Sequence, residues 1–373
     1  MKVLVKIPLS PFSGYGNDGL GLTRALVRWG ADVYLSPSSV QAPLPEDIAM
    51  LLTKPLLPPF DLVINHHDPA ALHLEEEYKL AADTTVAWTM WEYSNFGNLP
   101  GRSKLKQDLK YYDALIGYDE VSSDCLRDYA WRHQSVLTLQ GGYNPEDWPE
   151  SSERDWHSER FGFCMNGQLH MRKDPFVAIQ AFSELKNDPD VEFEGAELHL
   201  HTTTPGLHSA MEEAIPKLRI HYAMWPHEVL YKFYETQHVL LAPSRGEGKN
   251  MPALEMQSTG GTVIATNWGG HREWLNSDYN YPLDYTLHPV DENSPDTYNA
   301  RASVEHMKEL MLHTYQHRAE AQLKGMVASQ VIPRMCSWDA VVERLFLRLK
   351  DSVPNGEKLW AAAQSCRVGR EDD

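Results

Sequence analysis

Only four cysteines occur in this chain, Cys125, Cys164, Cys336 and Cys366, and no two stand in C-x-x-C spacing. That scarcity excludes a disulfide framework or thiolate zinc site and fits reduced thiols in a cytoplasmic protein. Long apolar runs are missing too: no window approaches the ~18 residues that a membrane-spanning helix needs. The opening MKVLVKIPLSP is too short and too charged for a secretory signal and reads as a first strand. Basic residues are in deficit, 34 Lys and Arg against 52 Asp and Glu, for a formal charge of −18. A broad electrostatic grip on duplex nucleic acid or anionic membrane is therefore disfavoured, while a local basic patch stays open. HExxH, GxSxG and the P-loop pattern are all absent, which argues against a zincin, an α/β-hydrolase and a P-loop kinase. Asp188-Pro-Asp190 matches the acidic DxD pattern but falls between elements and reads as a turn, so no metal site is expected. The 17 histidines include His66-His67 and the alternating His199 and His201 at strand positions. Hydrogen bonding is the expected role for them.

What is present is a globular composition, 42% hydrophobic and 23% charged over 373 residues, enough for two domains with full cores. The first half alternates short apolar runs (Val3–Ile7, Val33–Leu35, Leu62–Asn65, Thr85–Thr89, Ala114–Gly117, Val136–Leu139) with helical spacing, including a helix from Leu20 to Trp29. Such alternation predicts a parallel sheet covered on both faces. The polar stretch Pro149 to Arg160 reads as a linker. After it the alternation restarts with strands Phe161–Met165 and Leu198–Thr202 and helices Pro175–Leu185 and Pro226–Thr236. A long helix is expected over Ser303–Leu323, another over Trp338–Leu349, a short one over Lys358–Gln364, and a frayed tail from Arg367 to Asp373.

The most informative stretch is His238 to Leu275. A short apolar run leads into the polar loop Ser244–Asn250, then a helix entered through Pro252, then Gly260-Gly261 and a second strand, Thr262–Thr266. This is a βαβ unit, whose loop lies at the carboxyl ends of the strands, where open sheets bind ligands. Pro252 suits the first helical turn. The N–H groups of Asn250, Met251 and Ala253 are then expected to point out toward an anion such as phosphate. Glu247 and Glu255 flank that position. Two carboxylates repel a phosphate, so accepting hydrogen bonds from hydroxyls suits them better. A nucleotide sugar has phosphates in the middle and hydroxyl-rich groups at both ends.

Three further segments carry chemistry. Gly14, Gly16 and Gly19 satisfy GxGxxG, but six residues including Pro8 and Pro11 separate them from the strand, and Ser36-Pro37 ends the second strand with no acid to hold a ribose. A glycine loop that lets backbone approach a substrate fits better than a dinucleotide site. Asn166-Gly167-Gln168-Leu169 and Arg172-Lys173-Asp174 follow the first strand of the second half, where Lys173 suits a leaving diphosphate. Gly269-Gly270 follows the strand Thr262–Thr266, where bare backbone can pack close to a ligand.

Together these residues resemble group 1 (family 4) retaining glycosyltransferases. Glu247 to Glu255 resembles that family's EGxxxPxxxE loop, Gly167 to Asp174 its GRLxxxKG, Gly142-Tyr143-Asn144 with Trp148 its NGVD segment, and Cys336-Ser337-Trp338 its FSW. The resemblance implies a GT-B fold: α/β, two Rossmann-like domains facing across a cleft, with a C-terminal helix packing back on the first. The expected parts are an acceptor-side domain over 1–150, a nucleotide-sugar donor domain over 151–345, and a returning helix and tail over 346–373. It further implies that Glu255 binds the ribose and Glu247 lies against the donor sugar. Asn250 and Met251 amides hold the diphosphate, Lys173 neutralises the leaving phosphate, and Gly14 and Gly16 come close to the donor phosphates.

Some positions depart from the family. Gln168 replaces the GRL arginine, with Arg172 or Arg245 as substitutes, and Lys249-Asn250 replaces the common Phe-Gly. Trp91 stands where many relatives have a histidine, which leaves Glu92, or His66 and Asp68, to serve the acceptor. The reading is a cytoplasmic, metal-independent retaining transferase without a cofactor. Its donor is a nucleotide-diphosphate sugar of unspecified base and its acceptor is a protein, glycan, small molecule or modified DNA base. A catalytically silent nucleotide-sugar binding protein is the alternative.

Overall fold

A computed structural model describes residues 1–97, 99–203 and 209–371. The chain divides into two compact units. One comprises Met1–Asn144, Val290–Thr297 and Cys336–Asp373, the other Pro145–Pro289 and Tyr298–Met335.

The first unit holds six strands: β1 (Lys2–Lys6), β2 (Asp32–Leu35), β3 (Phe60–His66), β4 (Ala82–Thr89), β5 (Ala114–Gly117) and β6 (Ser135–Thr138). They form one sheet in the order β2-β1-β3-β4-β5-β6 with every pairing parallel. Val3, Leu4 and Val5 are fully buried, as expected for a strand covered on both faces. The chain reverses direction across the sheet between β1 and β3, which makes their carboxyl ends the switch point of this unit.

The helix expected from Leu20 starts earlier, at Gly14, and runs to Trp29. Ser13 caps it, its hydroxyl accepting from the Gly16 N–H at 3.1 Å. The glycines at 14 and 16 therefore lie in the first turn of a helix and do not form a loop. Close packing explains the second of them. A Cβ on Gly16 would meet the Ser10 carbonyl oxygen at 2.4 Å, while one on Gly14 would meet nothing within 4 Å.

The segment belonging to the first unit begins at Cys336, ahead of the boundary expected at 346. Ser337 caps the helix Trp338–Lys350, which buries Trp338, Val341, Leu345, Phe346 and Leu349 in the first unit's core. The Trp338 ring meets Trp88 edge-on at 6.0 Å. The helix Gly356–Glu371 follows, longer than the short one expected. Its Ala363 carbonyl accepts from the Trp29 indole at 3.0 Å. The last two residues, 372–373, lie outside the described part.

The second unit repeats the plan with β7 (Phe161–Asn166), β8 (Ala196–Thr202), β9 (Leu218–Tyr222), β10 (Val239–Ala242), β11 (Thr262–Thr266) and β12 (Tyr281–Leu283). The order is β12-β11-β10-β7-β8-β9, again all parallel. Its switch point lies between β10 and β7. An antiparallel hairpin, β13 (Tyr285–Pro289) with β14 (Tyr298–Ala302), was not foreseen, because its residues alternate little and are mostly polar. The long helix expected over Ser303–Leu323 is two helices, Val304–Gln316 and Arg318–Cys336, broken at His317, where φ is −112° and ψ 53°.

Pro149 to Arg160 is not a free linker. Trp156 is 4% exposed and Arg154 8%. The Arg154 guanidinium donates to the carbonyls of Gln237, Thr259 and Tyr234 at 2.5, 2.7 and 2.9 Å. Those carbonyls lie at the C-terminal ends of the helices His227–Glu235 and Met251–Ser258. One cation thus caps two helices where their dipoles are negative. Burial lowers its pKa to about 10.

Candidate active site

At the β7/β10 switch point, two strand-end loops bring three charged side chains together. Lys173 Nζ lies 2.6 Å from Glu247 Oε1, and Arg172 Nη1 lies 3.2 Å from Glu247 Oε2. Glu247 is 5% exposed. Burial alone would raise its pKa, but Lys173 first and Arg172 second outweigh it and hold the carboxyl far below its usual range. Two cations face one carboxylate, so the cluster keeps a net positive charge. Arg245, the other substitute cation, is instead engaged with Asp174 at 2.7 Å. Gln168, in the position of the family arginine, is exposed.

The loop carrying Glu247 is pinned along its backbone. Arg245 N–H donates to the Arg172 carbonyl at 2.7 Å, and Arg172 Nη1 donates to the Gly246 carbonyl at 2.6 Å. Gly270 N–H donates to the Glu247 carbonyl at 2.8 Å, and the Trp274 indole donates to the Lys249 carbonyl at 2.8 Å. Gly270 packs so closely that a Cβ there would meet the Gly248 oxygen at 1.9 Å. The double glycine thus serves the Glu247 loop directly.

Asn250 caps the helix Met251–Ser258 in the left-handed region, φ 66°. Its Nδ2 donates to His271 Nε2 at 2.9 Å, while His271 Nδ1 donates to the Thr266 carbonyl at 2.9 Å. Burial lowers the His271 pKa to about 4, so the ring is neutral and works as a fixed bracket for Asn250. The N–H of Ala253 turns inward to the Asn250 carbonyl at 3.0 Å, contrary to the expectation that it points outward. Pro252 has no N–H, which leaves Asn250 and Met251 as the first amides of this helix.

Glu255 sits one turn further along, 6% exposed. Tyr234 donates to its Oε2 at 2.9 Å, and Asn166 Nδ2 lies 2.6 Å from the Tyr234 oxygen. Burial dominates here and pushes the Glu255 pKa up to about 7, with Tyr234 and Lys249 opposing it. The two glutamates of one loop-helix motif therefore differ: Glu247 is ionised, while Glu255 is poised near neutrality.

Gly14, Gly16 and Glu92 belong to the first unit. Gly14 and Gly16 form the helix start after β1, and half-buried Glu92 follows β4. Tyr15 lies among them, its ring stacked on His67 at 5.8 Å and edge-on to His66 at 5.5 Å. Burial, then Asp68, then Glu92 raise its pKa. His66, a candidate for serving the acceptor, is fully buried. Its Nε2 is 2.5 Å from the Tyr118 oxygen, and Tyr118 donates to Asp18 at 2.6 Å. That commitment removes His66 from the accessible groups. Trp91 is core: its indole donates to the Asn95 carbonyl at 2.7 Å, and it packs on Tyr93 and Phe96.

Tyr15, Tyr118, Asp18, Tyr234 and the bracket role of His271 were not read from sequence. None stands in a recognisable spacing with its partners. Tyr15 and Asp18 lay inside the Gly14–Gly19 segment, and Asn166 and His271 inside two others already singled out, but none had been given its role.

The fold defined by these two parallel-sheet Rossmann-like units is the GT-B glycosyltransferase fold. Sucrose-phosphate synthase from Thermosynechococcus elongatus superposes with a TM-score of 0.66 at 11% identity, covering 94% of this chain and 98% of that one. Trehalose 6-phosphate synthase from Burkholderia multivorans gives 0.64 at 12% identity, covering 99% and 98%. Anabaena HepE, solved with UDP and glucose, gives 0.61 at 10% identity, covering 94% and 100%. Residues 160–294 match the family model described as Glycosyl transferases group 1. Most of the second unit thus matches the model of that family. No curated protein sequence matches the chain.

Proposed function

We propose that the protein is a retaining glycosyltransferase that takes a sugar from a nucleoside-diphosphate sugar. One observation carries this reading: Glu247 buried between Lys173 and Arg172, on a pinned loop that leads into a helix N-terminus. Lys173, Arg172 and the Asn250 and Met251 amides would hold the diphosphate. Glu247 would face the sugar, and Glu255 would accept hydrogen bonds from the ribose hydroxyls. HepE binds UDP and UDP-glucose, which supports a donor of this class.

As the bond between the anomeric carbon and the phosphate oxygen breaks, negative charge grows on the diphosphate. Preorganised cations and amides stabilise it without reorganisation. The acceptor oxygen attacks from the leaving-group side, and the departing phosphate oxygen takes its proton. The charge set performs this without calling on a divalent ion. Glu92 would serve the acceptor, and Gly14 and Gly16 would come close to the donor phosphates, as the family resemblance implies. Among the described residues no helix is long and apolar enough to cross a membrane, and the four cysteines are free thiols, which supports a reducing compartment such as the cytoplasm.

The test is a thermal-shift panel of uridine, guanosine, adenosine and cytidine diphosphates and their sugars. Incubation of the bound donor with each acceptor class follows, read by mass gain. Nucleotide release with mass gain supports the reading. Binding without release under any acceptor identifies a silent binding protein, and no binding at all rejects both.

A further inference from the structure

Tyr234 and Asn166 do more than touch Glu255. Asn166 Oδ1 lies 2.6 Å from His201 Nδ1, and His201 Nε2 lies 2.9 Å from the Ala223 carbonyl. The four links from Glu255 through Tyr234, Asn166 and His201 to Ala223 form one continuous chain inside the second unit. His201 is 5% exposed and lies flat on Trp225, ring centroids 3.8 Å apart.

Donor counting decides how such a chain behaves. Each link needs one hydrogen. Tyr234 supplies one, the Asn166 amide presents one N–H along the chain, and a neutral imidazole supplies one. Three hydrogens cannot fill four links. The fourth comes from Glu255 when it is protonated; when Glu255 is ionised one link is given up, and the Ala223 contact, 2.9 Å against 2.6 Å to Asn166, is the longer of the two at His201. If Glu255 is protonated it donates to Tyr234, Tyr234 donates to the Asn166 oxygen, and the Asn166 nitrogen donates to His201 Nδ1. His201 then carries its hydrogen on Nε2, facing Ala223. If Glu255 is ionised, Tyr234 must turn to it, the Asn166 amide reverses, and its oxygen faces His201, which now needs a hydrogen on Nδ1. Which way the Asn166 amide points is fixed by this pattern.

We propose that Tyr234, Asn166 and His201 are positioning residues that couple the ionisation of Glu255 to the presence of a proton on His201 Nδ1. In the change, the Oε–H bond of Glu255 breaks and an N–H bond forms at His201 Nδ1. The Asn166 amide turns over and the Tyr234 hydroxyl swings from Asn166 to Glu255. The Glu255 proton leaves to solvent, and the single His201 hydrogen moves from Nε2 to Nδ1 at the expense of the Ala223 link, so the imidazole stays neutral, as its lowered pKa requires. Resting on the nucleotide reading above, a ribose diol needs the carboxylate as acceptor and so drives the Nδ1–H form. The groups facing Glu255 are Tyr234, Lys249, Lys173 and Asp147. The one facing His201 is His221. None of these lies within the four links except Tyr234.

Nitrogen-15 NMR of imidazole-labelled protein reads the proton position on each ring nitrogen, with His201→Gln assigning the resonance. In the ligand-free protein, raising the pH from 5.5 to 8.5 moves the His201 hydrogen onto Nδ1. Glu255→Gln and Tyr234→Phe hold the ring in its Nε2–H form throughout. Uridine, guanosine, adenosine or cytidine diphosphate produces Nδ1–H at pH 6, and the 2′,3′-dideoxy forms do not. Tyr234→Phe raises the donor KM about 10-fold with kcat within about 3-fold. A His201 profile unchanged by both substitutions overturns the coupling. If the pH-driven change occurs but no nucleotide binds, the coupling stands and the nucleotide reading fails. If nucleotide binds and leaves His201 unmoved, the ligand-driven half is wrong.

Discussion

Lys173 and Glu247 form the shortest ion pair of the strand-end cluster, 2.6 Å between Nζ and Oε1, with side chains 13% and 6% exposed. In so little water their attraction is weakly screened. A ligand phosphate entering beside Lys173 meets a cation that a fixed carboxylate has already oriented.

Lys173→Ala is expected to lower kcat by ~10²–10³, the usual loss for one preorganised charge-stabilising contact. Glu247→Ala is expected to cost a similar factor, because it releases Lys173 and Arg172 from their positions. Steady-state kinetics with an identified donor checks both. Near-normal turnover in the two variants would remove this cluster from the mechanism.

Glu255 predicts a specific pH dependence of stability. Its folded pKa of about 7 lies above its ordinary value of 4.5. Between those values the folded chain keeps a proton that the unfolded chain has lost. The residue's contribution is therefore complete below pH ~4.5 and is lost as pH rises through about 7, on the order of 3 kcal/mol. Glu255→Gln should gain stability relative to wild type across that window. Urea denaturation at pH 5 and pH 8 measures it, and a constant difference would show that Glu255 titrates normally.

The Arg154 guanidinium donates to the carbonyls of Gln237, Thr259 and Tyr234 and to the Thr259 hydroxyl. Arg154→Met leaves those buried carbonyls without their donor. Charged hydrogen bonds contribute ~1.5–3 kcal/mol each, so a loss of at least ~3 kcal/mol is expected, seen as a lower Tm, with activity retained at low temperature.

Glycine substitutions should separate sharply by position. A Cβ on Gly14 would meet no protein atom within 4 Å, so Gly14→Ala should leave Tm unchanged and the Glu247 loop undisturbed. Gly270→Ala would press on the Gly248 oxygen at 1.9 Å and displace the Glu247 loop, lowering kcat by at least 10-fold. Equal behaviour of the two variants would contradict the close approach at Gly270.

Much of this was legible in the residue order. Alternating apolar runs and helical spacing define parallel strands over Ala114–Gly117 and Thr262–Thr266 with their observed bounds. The short spacing of Glu247, Pro252 and Glu255 places both glutamates around one helix start. These are local regularities, written within a few residues of each other. The tertiary structure alone decided the rest. Pro149–Arg160 looks like a linker because nothing nearby in sequence reveals that Arg154 caps helices ending at residues 235 and 258. Trp91 looks like a lost catalytic residue until Phe96 and Tyr93 close around it. Glu247 and Glu255 look alike in the motif. Lys173 and Arg172 come to one and Tyr234 to the other, so one stays ionised while the other holds its proton near neutral pH. Charge and hydrogen bonding depend on partners far apart in the chain, and only folding brings them within reach.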